Sequence, residues 1–73
     1  MTVIVYTQPN CPQCTMTKKH LTKRGVSYEE LPMDEDARAQ AAAAGIMSAP
    51  VVLVEGKALW GGYRPDALDR LAC

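Results

Sequence analysis

Four consecutive residues near the start of the chain, Cys11-Pro12-Gln13-Cys14, constrain its fold more than any others. Just upstream, Val3, Ile4, Val5 and Tyr6 are β-branched or aromatic without a break, the pattern of a strand buried on both faces. Residues 7–10 form a polar loop containing Pro9. Pro12 stands where a helix opens, because a proline in the first turn gives up no intrahelical hydrogen bond. Two closely spaced thiols are therefore held between the end of a strand and the start of a helix. Any fold for this chain has to accommodate that junction.

The remaining punctuation predicts an alternating pattern. The first helix covers residues 12–24, with Lys18, Lys19, Lys23 and Arg24 late in it, where the dipole favours cations. Met16, His20 and Leu21 are its larger candidates for inward positions, and Gly25 stops it. Residues 26–31 read as a second strand ended by Pro32. Asp34 caps a second helix whose first turn holds Glu35 and Asp36, whose body is alanine-rich and which Gly45 closes. Residues 50–55 form a third strand, 55–57 a turn and 58–60 a fourth strand, making a hairpin. Gly61-Gly62 breaks the chain, and Pro65 opens a last helix with Asp66 in its first turn and Leu68 and Leu71 on one face. The expected fold is α/β, a four-stranded mixed sheet with three helices in the order βαβαββα, as a single domain over residues 1–73. The first two strands are joined by a crossover helix and run parallel, and the last two run antiparallel.

A chain of 73 residues buries only about 60% of the surface its unfolded form exposes, so its core is small. Eight basic and eight acidic residues cancel, which excludes partners that need a basic face, such as nucleic acid or an anionic membrane. The longest apolar run, 49–54, is far too short to cross a bilayer. With no basic and apolar leader at the N-terminus, a cytoplasmic location is expected. Three cysteines are too few, and odd in number, for a disulfide framework. Two of them form the working pair, and Cys73 reads as an incidental thiol.

The pair suits redox chemistry. A thiol at a helix N-terminus faces unpaired amides and the positive end of the dipole, which favour thiolate. Two intervening residues let one helical turn bring the sulfurs within bonding distance. Cys11, nearer the loop, is expected to be exposed and to attack, and Cys14, inside the first turn, to be shielded and to resolve the mixed disulfide. Half of a zinc site is the competing reading, but structural zinc wants four ligands and the chain adds only His20 and Cys73. No metal site is expected. Pro50 begins the third strand, where proline is tolerated. In a loop facing the cysteines, a cis Ala49–Pro50 bond would present the Ala49 backbone to an extended substrate. Trp60 reads either as core or as a wall of the cleft beside the glycine pair. Gly61 and Gly62 supply backbone freedom. Arg64 either pairs with a carboxylate or extends over Trp60. His20, six residues after Cys14, falls on a different helix face and reads as a surface or packing residue. No acid or lysine stands out as a proton acceptor for Cys14.

Val-Tyr-Thr before Cys-Pro-x-Cys, then Ala-Pro-Val-Val, then Trp-Gly-Gly-Tyr-Arg-Pro-Asp, resembles the glutaredoxin-like redoxins called NrdH over residues 2–71. The resemblance implies a thioredoxin fold and a protein that looks like a glutaredoxin but behaves like a thioredoxin. It implies reduction by thioredoxin reductase, a flavoprotein drawing on NADPH, and electron donation to class Ib ribonucleotide reductase. No bound cofactor is implied beyond a redox-active Cys11–Cys14 disulfide, and a monomer is expected. Carried over, Cys11 is the nucleophile, Cys14 the resolving thiol and Pro50 the cis-proline. The expected substrate contacts are Pro12, Gln13, Ala49, Pro50, Trp60, Gly61, Gly62 and Arg64. Pro12 and the Gly61-Gly62 pair lean towards glutathione-dependent glutaredoxins, the alternative reading. Gln8 and Gln13, where glutaredoxins carry a basic residue and a tyrosine, and Arg64-Pro65 lean towards NrdH. An iron–sulfur cluster shared between protomers through Cys11 is disfavoured by Pro12.

Overall fold

The order of elements is the one the punctuation predicts: β1 (Val3–Thr7), α1 (Pro12–Lys23), β2 (Glu29–Pro32), α2 (Glu35–Ala43), β3 (Val51–Val54), β4 (Lys57–Gly61) and α3 (Pro65–Leu71). This is a computed structural model, and it describes residues 2–71, without the side chains of residues 58 and 59. The sheet order is β2-β1-β3-β4. β1 and β2 are parallel, and the other two pairings are antiparallel. Pro32 tolerates its place in the ladder because β2 is an edge strand.

The period of two along β1 divides the core between the two faces of the sheet. Val3 and Val5 face one side, where they meet Leu21 of α1, Val52 of β3, Trp60 of β4 and Leu68 of α3. Ile4 and Tyr6 face the other, against Val51, Leu53 and Ala41 of α2. The alanine helix lies close to the sheet through Ala37 and Ala41, but it is slim, so Ile4 and Tyr6 are only partly covered. Asp34 caps α2 as expected, its Oδ1 accepting the Ala37 N–H at 2.8 Å.

Two local expectations are corrected. The second strand starts at Glu29 rather than at residue 26. The Val26 N–H donates to the Leu21 carbonyl at 2.9 Å, which satisfies an orphan acceptor at the end of α1 and keeps residue 26 out of the ladder. The inward stripe of α1 is Cys14, Thr17 and Leu21, at i, i+3 and i+7, while Met16 is 48% exposed. Fixing Cys14 inward turns position 16 outward, about 200° away around the helix.

Candidate active site

The cysteine pair is set by the turn between β1 and α1. Asn10 adopts a left-handed backbone (φ 56°), which asparagine tolerates better than most residues. The chain then enters α1 with Cys11 as the N-cap in extended conformation and Pro12 at the helix start. The cap is made by sulfur: the Cys14 N–H donates to Cys11 Sγ at 3.1 Å. The Cys11 carbonyl accepts the Thr15 N–H at 3.2 Å, closing the first turn. Cys11 and Cys14 are joined as a disulfide, with their Cα atoms 5.2 Å apart. Cys14 is 2% exposed, and Cys11 is only partly covered. Spacing produces this asymmetry, since the cap residue lies outside the helix and the third residue turns into the core.

The start of β3 is linked to this turn through Gly62. The Ala49–Pro50 bond is cis and Pro50 is fully buried. The Pro50 carbonyl accepts the Gly62 N–H at 2.9 Å, which ties the end of β4 to this loop. Gly62 has φ 79°, a conformation that favours glycine, and a Cβ there would lie 3.1 Å from Gln13 Oε1. Gln13, Pro50 and Gly62 are thus brought together. Gly61 answers a different need: a Cβ would overlap the Ile46 side chain and sit 2.7 Å from the Ser48 carbonyl oxygen. Ala49 lines a groove with Met33, Arg38, Ile46, Met47, Ser48 and Val51.

Trp60 and Arg64 each take one of the two places the sequence left open. Trp60 is 8% exposed and belongs to the core, because its register opposite Val52 turns it to the α1–α3 face of the sheet. Arg64 pairs with a carboxylate, its Nη2 3.4 Å from Asp66 Oδ2, at the exposed start of α3. His20 is the packing residue anticipated. Its Nε2 lies 2.8 Å from Asp69 Oδ1 and its Nδ1 3.1 Å from the Tyr63 hydroxyl, so it links α1 to α3. Arg24 reaches the same Asp69 oxygen at 3.0 Å. The His20 hydrogen bond, followed by the charge of Arg24, holds the Asp69 carboxyl below its ordinary range.

One cluster escaped the sequence reading. Lys18 Nζ lies 3.0 Å from Glu30 Oε2, and the Thr7 hydroxyl donates to the same oxygen at 2.8 Å. The Thr7 bond, then the Lys18 bond, holds the Glu30 carboxyl below its ordinary range. All three residues line an open groove with both cysteines. The only signal in the sequence is that Lys18 follows Cys14 by four residues. Among the described residues no group of three His, Cys, Asp or Glu side chains converges as a metal site would require.

The glutaredoxin family profile matches residues 3–59. The glutaredoxin-like protein NrdH of Salmonella typhimurium is 38% identical over 73 residues, covering 97% of this chain and 89% of that one. The chain belongs to the glutaredoxin-like NrdH redoxins. The NrdH protein of Lactococcus lactis is 35% identical over 72 residues, covering 96% of this chain and 99% of that protein. The solved structure of the Escherichia coli NrdH-redoxin superposes with a TM-score of 0.85 at 34% identity, covering 97% of this chain and 95% of that one. The four-stranded sheet with three helices is therefore the thioredoxin-like fold of that structure. This redoxin, like its family, acts in thiol–disulfide exchange, and its Cys11–Cys14 disulfide is the group that exchanges.

Proposed function

We propose that this redoxin is a single-domain electron carrier of NrdH type. It is reduced by thioredoxin reductase at the expense of NADPH and passes electrons to class Ib ribonucleotide reductase. The observation that carries this reading is the contrast between the two sulfurs: Cys11 caps α1 and is accessible, while Cys14 is buried beneath it. A sulfur at the N-cap lies at the positive end of the helix and already accepts an amide, both of which favour its anion. The Cys11 thiolate attacks a target disulfide, forming a mixed disulfide. Cys14 then attacks Cys11, releasing the reduced target and restoring the internal disulfide. Gln13, Ala49, Pro50 and Gly62 form the wall along which an extended target segment lies. Pro12 fixes the start of the helix, and Gly61 lets the wall close. Trp60 supports the wall from the core, and Arg64 stands at its outer end. The Escherichia coli NrdH-redoxin has a thioredoxin-like activity profile, which supports the choice of reductase.

The test is the rate of NADPH oxidation with the oxidised protein, comparing thioredoxin reductase with glutathione plus glutathione reductase. Fast turnover with thioredoxin reductase alone is expected, followed by support of a class Ib ribonucleotide reductase. Turnover with glutathione alone would replace this reading with that of a glutaredoxin, which Pro12 and the Gly61-Gly62 pair favour. The Cys14→Ser variant is expected to trap a mixed disulfide with the target.

A further inference from the structure

The resolving step needs a Cys14 thiolate, and Cys14 is 2% exposed. Burial of this degree disfavours an anion unless a fixed charge or hydrogen bond offsets the lost solvation. The groove lined by both cysteines contains such a charge. Among the described residues, Lys18 and Glu30 are the only charged ones in its lining. Lys18 follows Cys14 by four residues on α1, which puts the two side chains on adjacent turns of one helix face. Its ammonium is anchored by Glu30 of β2, and Glu30 is anchored in turn by the Thr7 hydroxyl of β1. The adjoining groove on the far side of Lys18 carries Lys19, Lys23 and Tyr28, so among the described residues no carboxylate besides Glu30 faces Lys18 there.

We propose that Lys18 electrostatically stabilises the Cys14 thiolate in the reduced and mixed-disulfide states, with Glu30 and Thr7 as positioning residues that hold its ammonium in the groove. The proposal deepens the redoxin reading and rests on it. In the mixed disulfide, Cys11 Sγ is bonded to the target sulfur. Cys14 yields its proton to water in the groove, and the thiolate attacks Cys11 Sγ. The Cys11–target bond breaks as the Cys11–Cys14 bond forms. The electron pair leaves on the target sulfur, which takes a proton from solvent. Lys18 carries no proton in this sequence; it only lowers the energy of the anion. Glu30 therefore has two opposed effects, fixing the cation in place and partly cancelling its charge.

That opposition supplies the test. Lys18→Met and Glu30→Gln break the same ion pair, so a purely structural role moves both variants in the same direction. The glutamine amide oxygen, however, still accepts from the Lys18 ammonium and the Thr7 hydroxyl, and so removes the carboxylate charge while keeping the cation placed. The electrostatic role moves them in opposite directions. The readout is the ultraviolet absorbance of thiolate against pH in a Cys11→Ser, Cys73→Ser background, where Cys14 is the only thiol left. Lys18→Met is expected to raise the Cys14 pKa by about half a unit, roughly threefold less thiolate at a given pH. Glu30→Gln is expected to lower it, and Lys18→Arg to keep it near that of the parent. With Cys11 restored, the pH at which mixed-disulfide resolution is half-maximal should move in the same order. Shifts of one sign in both variants, or no shift in Lys18→Met, would overturn the proposal. The titration needs neither reductase nor target, so it stands apart from the redoxin reading, whose own failure would be no turnover of the unmutated protein.

Discussion

Replacing Gly61 by alanine tests the close approach on which the cleft wall depends. The added methyl would lie 2.7 Å from the Ser48 carbonyl oxygen and overlap Ile46, and the first of these is backbone that cannot rotate away. The segment 46–48 has to move outward or the end of β4 has to bend. Overpacking of this kind costs about 2 kcal/mol, within the usual range for an inserted methyl group. For a domain of this size that is a fall in Tm of roughly 8–16 °C. Gly62→Ala is the control, because its neighbour is the end of the Gln13 side chain, at 3.1 Å, which is free to swing aside. What alanine loses there is the left-handed backbone, about 1 kcal/mol and roughly 4–8 °C. The two variants are compared by circular-dichroism melts of the oxidised protein, alongside rates of target-disulfide reduction. Gly61→Ala should melt lower than Gly62→Ala and slow the reduction as well, since the displaced segment leads directly into Pro50. A Gly61→Ala melt within error of the unmutated protein would refute the argument from steric contact.

Leu68→Ala removes a fully buried side chain that joins α3 to the β1–α1 core, and should cost about 2–5 kcal/mol, measurable as a lowered midpoint in urea. Asp34→Ala removes the acceptor for the Ala37 N–H and should cost about 1 kcal/mol; an unchanged midpoint would show that the cap contributes nothing. Both Asp69 and Glu30 have folded pKa values below their ordinary ones. Their contribution to stability is therefore complete above the ordinary carboxylate pKa, about 4, and is lost as pH falls further through the lowered folded values. Melts from pH 7 to pH 3 should show a fall confined to the acid end, and Asp69→Asn should flatten it; a parallel fall in both proteins would separate Asp69 from the acid sensitivity.

The parts of the fold legible in the sequence are those specified by local chemistry. Pro12 and Asp34 start their helices because one lacks an N–H and the other caps with its carboxylate, and neither effect depends on the rest of the chain. The order of elements followed from such signals, as did the inward position of Cys14. The details that failed are those decided across the sheet. Residue 26 is drawn from the ladder by a carbonyl at the end of α1. Of the two places open to Trp60, core or cleft wall, register opposite Val52 decides for the core. The face of α1 is not legible in its apolar pattern because the inward stripe contains only one large apolar residue, Leu21, with a threonine and a cysteine completing it. Lys18 and Glu30 meet only because β1 and β2 are parallel in a register that sets Val5 against Glu30.

The small core has a bearing on how the site is held. Few apolar side chains are available to fix the loops around the disulfide, and backbone contacts take over much of that work. The Pro50 carbonyl is bonded to Gly62, the Ser48 carbonyl lies against Gly61, and the Cys11 carbonyl holds Thr15. Each of these constraints acts on main chain and leaves side chains facing the cleft free to vary. Behind them, α1 is tied to α3 by the hydrogen bonds of His20 to Tyr63 and Asp69, and Tyr63 directly follows Gly62 in the chain. The helix that carries both cysteines and the strand end that faces them are thereby referred to one anchor. Under the proposed mechanism, disulfide exchange rearranges two sulfur atoms against a backbone fixed from both sides. The helix start and the wall then keep their spacing in either redox state, and only the charge in the groove has to be accommodated.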